Sequence, residues 1–496
     1  MKKFEISFSK IEWGEDDAKN DGLLGLYFVE FPGYDEVLSG KKRYIIGRKG
    51  TGKSAILQKL RLDSEADSTS FFTDVSLRDF PLNDFKSLGD RSQQDKSKYV
   101  SAWKFLLLME VAGLLVQDNS IVETTELSII KKMIQDNFPD GISMAETIRV
   151  LRQNGNRVSV TTSILSGEHT RTSETEVTAQ VHYNKVVKSL ETIIQRIHTH
   201  SQFFLLIDEL DEGYQAKNSN TRLVILSLLR AADEIYKLFK VNSIKCIPVL
   251  ALRSDIFDSL EDNDLNKLDD YVLRLNWTTD ERSQWSLKQI AEKRIEATIK
   301  AEYPEFAATD YWSLVSENDS VPKGLWQYLC VLTFSRPRDI VKLLKYCAKA
   351  VRGNKLTMAD VQSVEVEYSG WFYREFRDEA QSFLSCWKGA LNCISEVAKG
   401  KERIDVLVKR FEVNSEVQKW CEENGKSPLD VVRILFDYSV IGCINEEGRW
   451  IFKYKDDYFE FMSSYPYYCV HFGFCRKLRI PKSYDRTIIE VYHRYN

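Results

Sequence analysis

The stretch Gly47-Arg-Lys-Gly-Thr-Gly-Lys-Ser54 decides the fold of this 496-residue chain. The segment from Lys41 to Gly47 precedes it and reads as a short buried strand that ends at glycine, and apolar residues at helical spacing follow from Ser54 to Leu62. The stretch satisfies the pattern GxxxxGK[ST], a glycine-rich turn between a strand and a helix. Glycines let several backbone N–H groups converge on phosphate oxygens, and the helix N-terminus adds partial positive charge. The stretch therefore predicts a site for a nucleoside triphosphate.

Each residue type in this loop has a predicted role. The ammonium of Lys53 would reach the β- and γ-phosphates, and the hydroxyl of Ser54 would ligate Mg²⁺. The predicted cofactors are therefore ATP and Mg²⁺. The residues expected to contact the nucleotide are Gly47, Arg48, Lys49, Gly50, Thr51, Gly52, Lys53, Ser54 and Ala55.

A second motif is an apolar run that ends in acids, Phe203-Phe-Leu-Leu-Ile-Asp-Glu209. This order is typical of a Walker B strand. Asp208 would hold the Mg²⁺ directly or through water, and Glu209 would polarise the attacking water as a general base. Asp211 and Glu212 follow at once, and they are either substitutes for this pair or solvated loop acids, which we favour.

Two arginines are candidate sensors of the nucleotide. Arg253 follows the apolar segment 245–252, and the alternative is a surface arginine that begins a helix. Arg338 lies in Ser335-Arg-Pro-Arg-Asp339, where we expect Ser335 to cap a helix; Arg336 is the alternate sensor, and charge on a solvated helix start is the other interpretation. The predicted catalytic set is Lys53, Glu209, Arg253 and Arg338.

Further segments predict the fold class. Residues 71–76, 245–252 and 271–275 read as buried strands that alternate with helices, which favours a parallel α/β sheet covered on both faces. Residues 77–200 interrupt this alternation with helices at 98–115 and 121–136 and a hairpin at 156–182 whose connection is residues 166–174. The hairpin's charges are mixed, so we expect this insertion to contact a protein partner or a second copy rather than nucleic acid.

Composition limits the class of protein. Hydrophobic residues make up 43% of the chain, and the net charge of −4 offers no chain-wide basic footprint for nucleic acid. The apolar stretch from Phe105 to Val116 contains Glu110 and is shorter than the ~20 residues that span a membrane. All nine cysteines follow residue 245 and are expected to pack in the core; Cys469 to Cys475 lacks zinc-ligand spacing. The sequence predicts a reduced, cytoplasmic protein without a membrane segment.

Together these motifs resemble the AAA+/STAND branch of P-loop ATPases and, more narrowly, bacterial FunZ-type ATPases. The closer match lies in the 47–54 loop, in Ser335-Arg-Pro-Arg-Asp-Ile340, in Leu275-Asn-Trp277 and in Tyr438-Ser-Val-Ile-Gly442. The resemblance implies a parallel sheet of order 5-1-4-3-2, a helical lid and a C-terminal winged helix. It also implies a bacterial or phage origin and a place in mobile-element or antiphage defence systems.

The resemblance suggests a domain division and one departure. We expect an ATPase core at 1–278 with the insertion at 77–200, a helical lid at 279–370 and a winged-helix-like domain at 371–496. Ring-forming relatives carry an arginine finger before the fifth strand, but residues 264–271 contain Lys267 and no arginine. Slow, regulated turnover as in STAND switches fits better, with Arg222 and Arg230 as remaining finger candidates.

Three functions remain open at the level of sequence. The first is a Mg²⁺-dependent ATPase whose nucleotide state controls conformation or assembly. The second is a DNA-binding ATPase resembling origin-recognition or loader proteins, and the third an interaction protein that binds ATP structurally. The second depends on a C-terminal region whose aromatic residues either stack on bases or form core, and whose tail is basic: Tyr465, Tyr467, Tyr468, Phe472, Phe474, Arg476, Lys477, Arg479, Lys482 and Arg486.

Overall fold

The computed structural model describes most of the chain. The described residues are 6–78, 80–88, 98–161, 178–210, 219–240, 244–260, 265–279, 283, 285–317, 324–381, 383–395, 401–448, 450–455 and 459–480. They divide into two compact units. The sheet unit comprises Pro32–Arg48 and Lys53–Leu275, and the helical unit comprises Met1–Phe31, Lys49–Gly52 and Asn276–Asn496.

The secondary structure follows the sequence closely. The strands are β1 Tyr44–Gly47, β2 Ser70–Ser76, β3 Arg157–Thr161, β4 Thr178–His182, β5 Gln202–Asp208, β6 Lys245–Arg253, β7 Val272–Arg274, β8 Lys401–Arg403, β9 Ile441–Ile444, β10 Trp450–Ile451 and β11 Tyr467–Val470. The helices are α1 Leu24–Tyr27, α2 Tyr34–Leu38, α3 Lys53–Ala66, α4 Leu82–Ser87, α5 Val100–Gln117, α6 Thr125–Asn137, α7 Met144–Gln153, α8 Tyr183–Ile194, α9 Ser219–Lys240, α10 Ser254–Asp258, α11 Leu287–Glu302, α12 Trp312–Val315, α13 Leu325–Val331, α14 Pro337–Ala350, α15 Met358–Ala380, α16 Trp387–Ser395, α17 Ile404–Val413, α18 Ser415–Asn424, α19 Pro428–Asp437 and α20 Phe472–Cys475.

The sheet unit is built on a five-stranded parallel sheet of order β2-β5-β6-β1-β7. Counted along the core strands alone, this is the predicted order 5-1-4-3-2, and the predicted α/β class is confirmed. The central strands β1, β5 and β6 are almost entirely buried. Such continuous apolar strands are typical of a parallel sheet with helices on both faces.

Helix α5, which lies in the predicted insertion, is part of the core of the sheet unit. It packs against β2 and β5 and against helices α8 and α9. Among the described residues it is the helix long and apolar enough to cross a membrane, but most of it is buried in this unit. Its apolar sequence is therefore explained by packing against the sheet.

The predicted hairpin of the insertion is present as β3 and β4. These strands pair antiparallel, from Arg157 opposite His182 to Thr161 opposite Thr178. The predicted connection at 166–174 lies outside the described residues. Asn137 fixes the hairpin to α6, because its side-chain oxygen accepts from the backbone N–H of Ser159 at 2.9 Å and its amide donates to the Ser159 carbonyl at 2.8 Å.

The helical unit holds its own hydrophobic core, formed by α11 to α20 together with residues near the N-terminus. Its longest helix, α15, begins with a capping box between Thr357 and Asp360. An antiparallel sheet of order β10-β9-β11-β8 follows, with α17, α18 and α19 between β8 and β9. The sequence predicted the β9–β10 hairpin, whereas β8 and β11 were not predicted.

The predicted cap of α14 is wrong by one residue. The N-cap is Arg336 and Pro337 occupies the first helical position, whereas Ser335 has a left-handed φ of 52°. Proline has a φ suited to the first helical position and lacks the N–H that would be unpaired there. The carboxylate of Asp339 reaches back instead and accepts from the backbone N–H of Phe334 at 3.0 Å.

Candidate nucleotide-binding site

The loop after β1 has the backbone that phosphate binding requires. Gly50 and Gly52 adopt positive φ values of 81° and 99°, a conformation that side-chain-bearing residues rarely adopt. Lys53 opens α3, and its ammonium donates to the carbonyls of Gly47 at 2.9 Å and Arg48 at 3.0 Å. The lysine charge is thus folded over the loop that precedes it, where a phosphate would need it.

In the helical unit, the start of α14 lies against the same loop. The backbone N–H of Arg338 donates to the Gly50 carbonyl at 3.3 Å. A Cβ at position 50 would lie 3.1 Å from the Arg338 Cβ, so glycine is needed here for close approach as well as for φ. The indole N–H of Trp277 donates to the Thr51 carbonyl at 2.8 Å. The structure therefore places the predicted sensor Arg338 beside the loop.

The acidic motif ends β5 in the sheet unit. Asp208 is buried, and its Oδ1 accepts from the backbone N–H of Glu209 at 2.8 Å. Ile207 pairs with Leu250 of β6, and Gly47 pairs with Arg253 of the same strand. Because these strands are parallel, their carboxyl ends meet at one edge of the sheet, where ligands of α/β proteins bind.

Glu209 is held in a specific place. Its φ is 63°, its Oε2 accepts from the Ser76 hydroxyl, and its Oε1 lies 2.9 Å from Nη2 of Arg78. Ser76 ends β2 directly opposite Asp208, and Arg78 follows two residues later. Sequence patterns did not identify either residue, although a polar side chain at the end of a neighbouring strand is a signal that could have identified Ser76.

Arg253 begins a helix, but its side chain is largely buried, so it is not the surface arginine of the alternative interpretation. It is the N-cap of α10, and its guanidinium forms a two-point contact with Asp255, at 3.0 Å to Oδ1 and 2.6 Å to Oδ2. It also pairs with Gly47 across the sheet, at the edge where the loop begins. The Arg253 side chain is 12% exposed, and its ion pair with Asp255 fixes the direction of the guanidinium.

The two arginines that flank Pro337 differ. Arg336 is buried, lies 3.4 Å from Oε2 of Glu379 and stacks over the Phe334 ring at 4.9 Å. Burial raises the pKa of the neighbouring Asp339 carboxyl to about 6, although Arg336 opposes that rise. Arg338 is 35% exposed and contacts Glu375 at 3.5 Å. Arg336 is therefore fixed in the core, whereas the side chain of Arg338 is partly exposed to solvent.

The residues present fit Mg²⁺ and a nucleotide. Asp208 supplies a carboxylate and Ser54 a hydroxyl, and Mg²⁺ prefers oxygen ligands and phosphate partners. The glycine-rich loop and Lys53 supply the donors that phosphates need. Asp211 and Glu212, the alternative acids, lie outside the described residues.

Among the C-terminal candidates, Tyr468, Phe472 and Phe474 belong to the core, whereas Tyr465 and Tyr467 are half-buried and Lys477 and Arg479 are exposed. Tyr468 and Phe474 are fully buried, Arg476 contacts Glu365 at 2.5 Å, and the Lys477 ammonium lies 5.6 Å from the centre of the Tyr373 ring. Lys482 and Arg486 lie outside the described residues.

The segment around Cys469 is also packed into the core. All nine cysteines are buried thiols, as expected from the sequence. His471 is fully enclosed by rings that include Phe334 and Phe372, and burial lowers its pKa to about 3. A neutral, enclosed imidazole serves packing here.

Comparison with known proteins gives one family match. Residues 285–377 match the model of the FunZ-associated C-terminal helical domain. This range runs through α11 to most of α15 in the helical unit. It therefore supports the resemblance that the sequence motifs carried.

Two further proteins are similar to this chain. A putative transposon gamma-delta 80.3 kDa protein from Escherichia coli (strain K12) is 23% identical over 381 residues, which cover 74% of this chain. The match covers 50% of that protein, so the chain spans about half the length of this curated relative. The crystal structure of Cdc6p from Pyrobaculum aerophilum matches over 90% of this chain and 88% of that chain, at 13% identity and a TM-score of 0.30. With its phosphate loop, its sheet order and the matched helical domain, the chain is similar to FunZ-type P-loop ATPases.

Proposed function

We propose that this protein binds ATP with Mg²⁺ and hydrolyses it slowly, and that its nucleotide state controls its conformation or assembly. One observation carries the proposal. The loop that ends in Lys53 and the acidic pair Asp208 and Glu209 follow parallel strands of one sheet, at the same edge. Phosphate donors, a metal-binding carboxylate and a general base are then available together.

Each residue has a defined part in this proposal. Lys53 and the loop N–H groups bind and orient the phosphates, whose transfer Mg²⁺ assists by neutralising charge when it is bound. Ser54 and Asp208 would hold that ion. Glu209 would accept a proton from the attacking water. Arg338 would contact the phosphates from the start of α14.

The contacts of Glu209 support slow, regulated turnover. Each oxygen of Glu209 already has a partner, Ser76 at one and Arg78 at the other, and these partners compete with water for the lone pairs of the carboxylate. Loss of either contact would make the carboxylate more available to the attacking water. A signal that moves the end of β2 would therefore change the rate of hydrolysis.

The test is phosphate release from ATP and Mg²⁺, together with ATP binding, by wild type and two variants. Lys53→Ala should lose both binding and turnover. Glu209→Gln should keep binding and lose turnover by about 10²- to 10⁴-fold, because a positioned general base contributes that much. Glu367→Gln, an exposed position on α15, is the matched control and should resemble wild type.

Two outcomes would change the proposal. Tight ATP binding without turnover in wild type would remove the enzymatic part and leave a nucleotide-binding switch. Turnover by Lys53→Ala at the wild-type rate would contradict the assignment of the loop.

The biological setting is also a proposal. The similar E. coli protein bears a transposon name, which supports a bacterial mobile-element context or antiphage defence. We propose a cytoplasmic location and an assembly or partner contact through the β3–β4 hairpin region of the insertion. Deleting the predicted connection 166–174 should then reduce assembly measured by analytical ultracentrifugation while ATP binding persists.

DNA binding is the second candidate, and the described C-terminal residues give it less support. Tyr468, Phe472 and Phe474 are buried and unavailable for stacking on bases, and Arg476 contacts Glu365, although Lys477 and Arg479 are exposed. Binding to duplex DNA that weakens steeply with salt concentration would nevertheless favour this function.

A further inference from the structure

A carboxylate on α15 joins two cations beside the phosphate loop. Oε2 of Glu375 lies 3.3 Å from the Lys49 ammonium and 3.5 Å from Nη1 of Arg338. Lys49 is a residue of the GxxxxGK[ST] loop, and Arg338 touches that loop through Gly50. Glu375 therefore neutralises charge where a triphosphate would need it.

The exposure of the three side chains shows that this contact can exchange. Lys49, Glu375 and Arg338 are 29%, 30% and 35% exposed. Ion pairs in such surroundings are weak, because water screens them. A triphosphate carries several charges, and guanidinium groups bind phosphate oxygens in a two-point geometry. A phosphate bound in the loop would therefore compete well against a single carboxylate.

Helix α15, which carries Glu375, also contacts other parts of the helical unit. One turn further on, Glu379 is fixed to Arg336 in the core. Towards the other end of the helix, Glu365 contacts Arg476, and the Ser369 hydroxyl accepts from the backbone N–H of Lys477 at 2.9 Å. The same helix thus contacts the phosphate loop and the C-terminal segment.

We propose that Glu375 is a positioning residue that competes with the triphosphate of ATP for Lys49 and Arg338, and so couples nucleotide binding to α15. The inference rests on the proposed ATP site. Glu375 then has a regulatory role, because it keeps ATP affinity moderate and releases its contacts when the phosphates bind.

The test is calorimetric titration of ATP with Mg²⁺ into the full chain. Glu375→Gln should bind ATP about three- to tenfold more tightly than wild type, the size expected for the loss of one or two exposed ion pairs. Glu375→Asp, which keeps the charge on a shorter side chain, should fall between them. Glu367→Gln on the exposed part of the same helix should match wild type.

A second variant separates positioning from a general structural role. In an Arg338→Gln background, the gain from Glu375→Gln should shrink at least twofold, because one of the cations that it releases is gone. Structural damage would weaken ATP binding rather than strengthen it, and circular dichroism would register a loss of fold.

The outcomes are distinguishable. Unchanged or weaker ATP binding by Glu375→Gln, with normal binding by wild type and Glu367→Gln, would overturn the inference and leave the proposed function intact. Absence of ATP binding by wild type would overturn both.

Discussion

Helix α15 carries two glutamates one turn apart, and their surroundings differ. Glu379 and Arg336 are 6% and 8% exposed, and they pair in the core of the helical unit. Glu375 contacts two partners, Lys49 and Arg338, but all three side chains remain about one-third exposed. Burial therefore fixes one pair, while the other can exchange its partners.

The difference separates structural from functional charge. A buried carboxylate that loses its cation remains in a low-dielectric surrounding, which is costly. A carboxylate open to water loses little when its cation moves to another anion. We therefore expect the buried pair to contribute to stability, and we propose that the exposed contacts of Glu375 act in ligand binding.

Breaking the buried pair should give the largest effect on stability. Arg336→Met leaves Glu379 buried without its arginine, and it should lower the free energy of unfolding by about 3–5 kcal/mol. Chemical denaturation followed by circular dichroism would measure this change. Glu375→Gln, the matched change at the exposed pair, should stay within about 1 kcal/mol of wild type. Equal effects of the two variants would remove the distinction.

Glu110 extends the comparison to a buried acid of another kind. On α5 it accepts from the Thr73 hydroxyl at 2.9 Å, and burial raises its pKa from 4.5 to about 7. The folded state then holds this proton more tightly than the unfolded state. The stabilisation is complete below the unfolded pKa near 4.5 and is lost as pH rises through 7.

Glu110→Gln should remove that dependence. Between about pH 4.5 and 8, the free energy of unfolding of wild type should fall by up to about 3 kcal/mol because of Glu110, at roughly 1.4 kcal/mol per pKa unit. The free energy of unfolding of the variant should not show this fall. Denaturation at several pH values across this window measures the difference between the two proteins. A difference that stays constant with pH would show that Glu110 has the same pKa in the folded and unfolded protein.

The contact between Arg78 and Glu209 should give the smallest effect. Arg78 is 60% exposed, so its ion pair is weak, and Arg78→Ala should raise basal ATP turnover about two- to fivefold by making Glu209 more available. Steady-state phosphate release would measure it, with Arg149→Ala, another exposed pair in the sheet unit, as control. Lower turnover in Arg78→Ala would instead give Arg78 a direct part in catalysis.

Much of the fold could be predicted because the signals are local. The loop motif, the apolar strands and their alternation with helices indicated a parallel α/β sheet, and the family resemblance supplied its strand order. Lys53, Asp208 and Arg253 were expected at the carboxyl ends of these strands. The short strands β8 and β11 could not be predicted, because their pairing joins residues far apart in sequence.

The contacts that we propose to regulate the site could not be predicted from sequence patterns. Ser76 and Glu209 are 133 positions apart, and Lys49 meets Glu375 from a distant part of the chain. Neither contact belongs to a motif with fixed spacing. Only the tertiary fold shows which side chains contact the carboxylates of Glu209 and Glu375.

Calorimetric titration of ATP with Mg²⁺ into wild type and into Lys53→Ala tests most directly whether the loop that ends in Lys53 binds ATP. We expect saturable binding of one ATP per chain by wild type and at least a hundredfold weaker binding by the variant, which corresponds to roughly 3 kcal/mol at about 1.4 kcal/mol per factor of ten. Equal affinity of the two proteins, or no binding by wild type, would contradict this expectation.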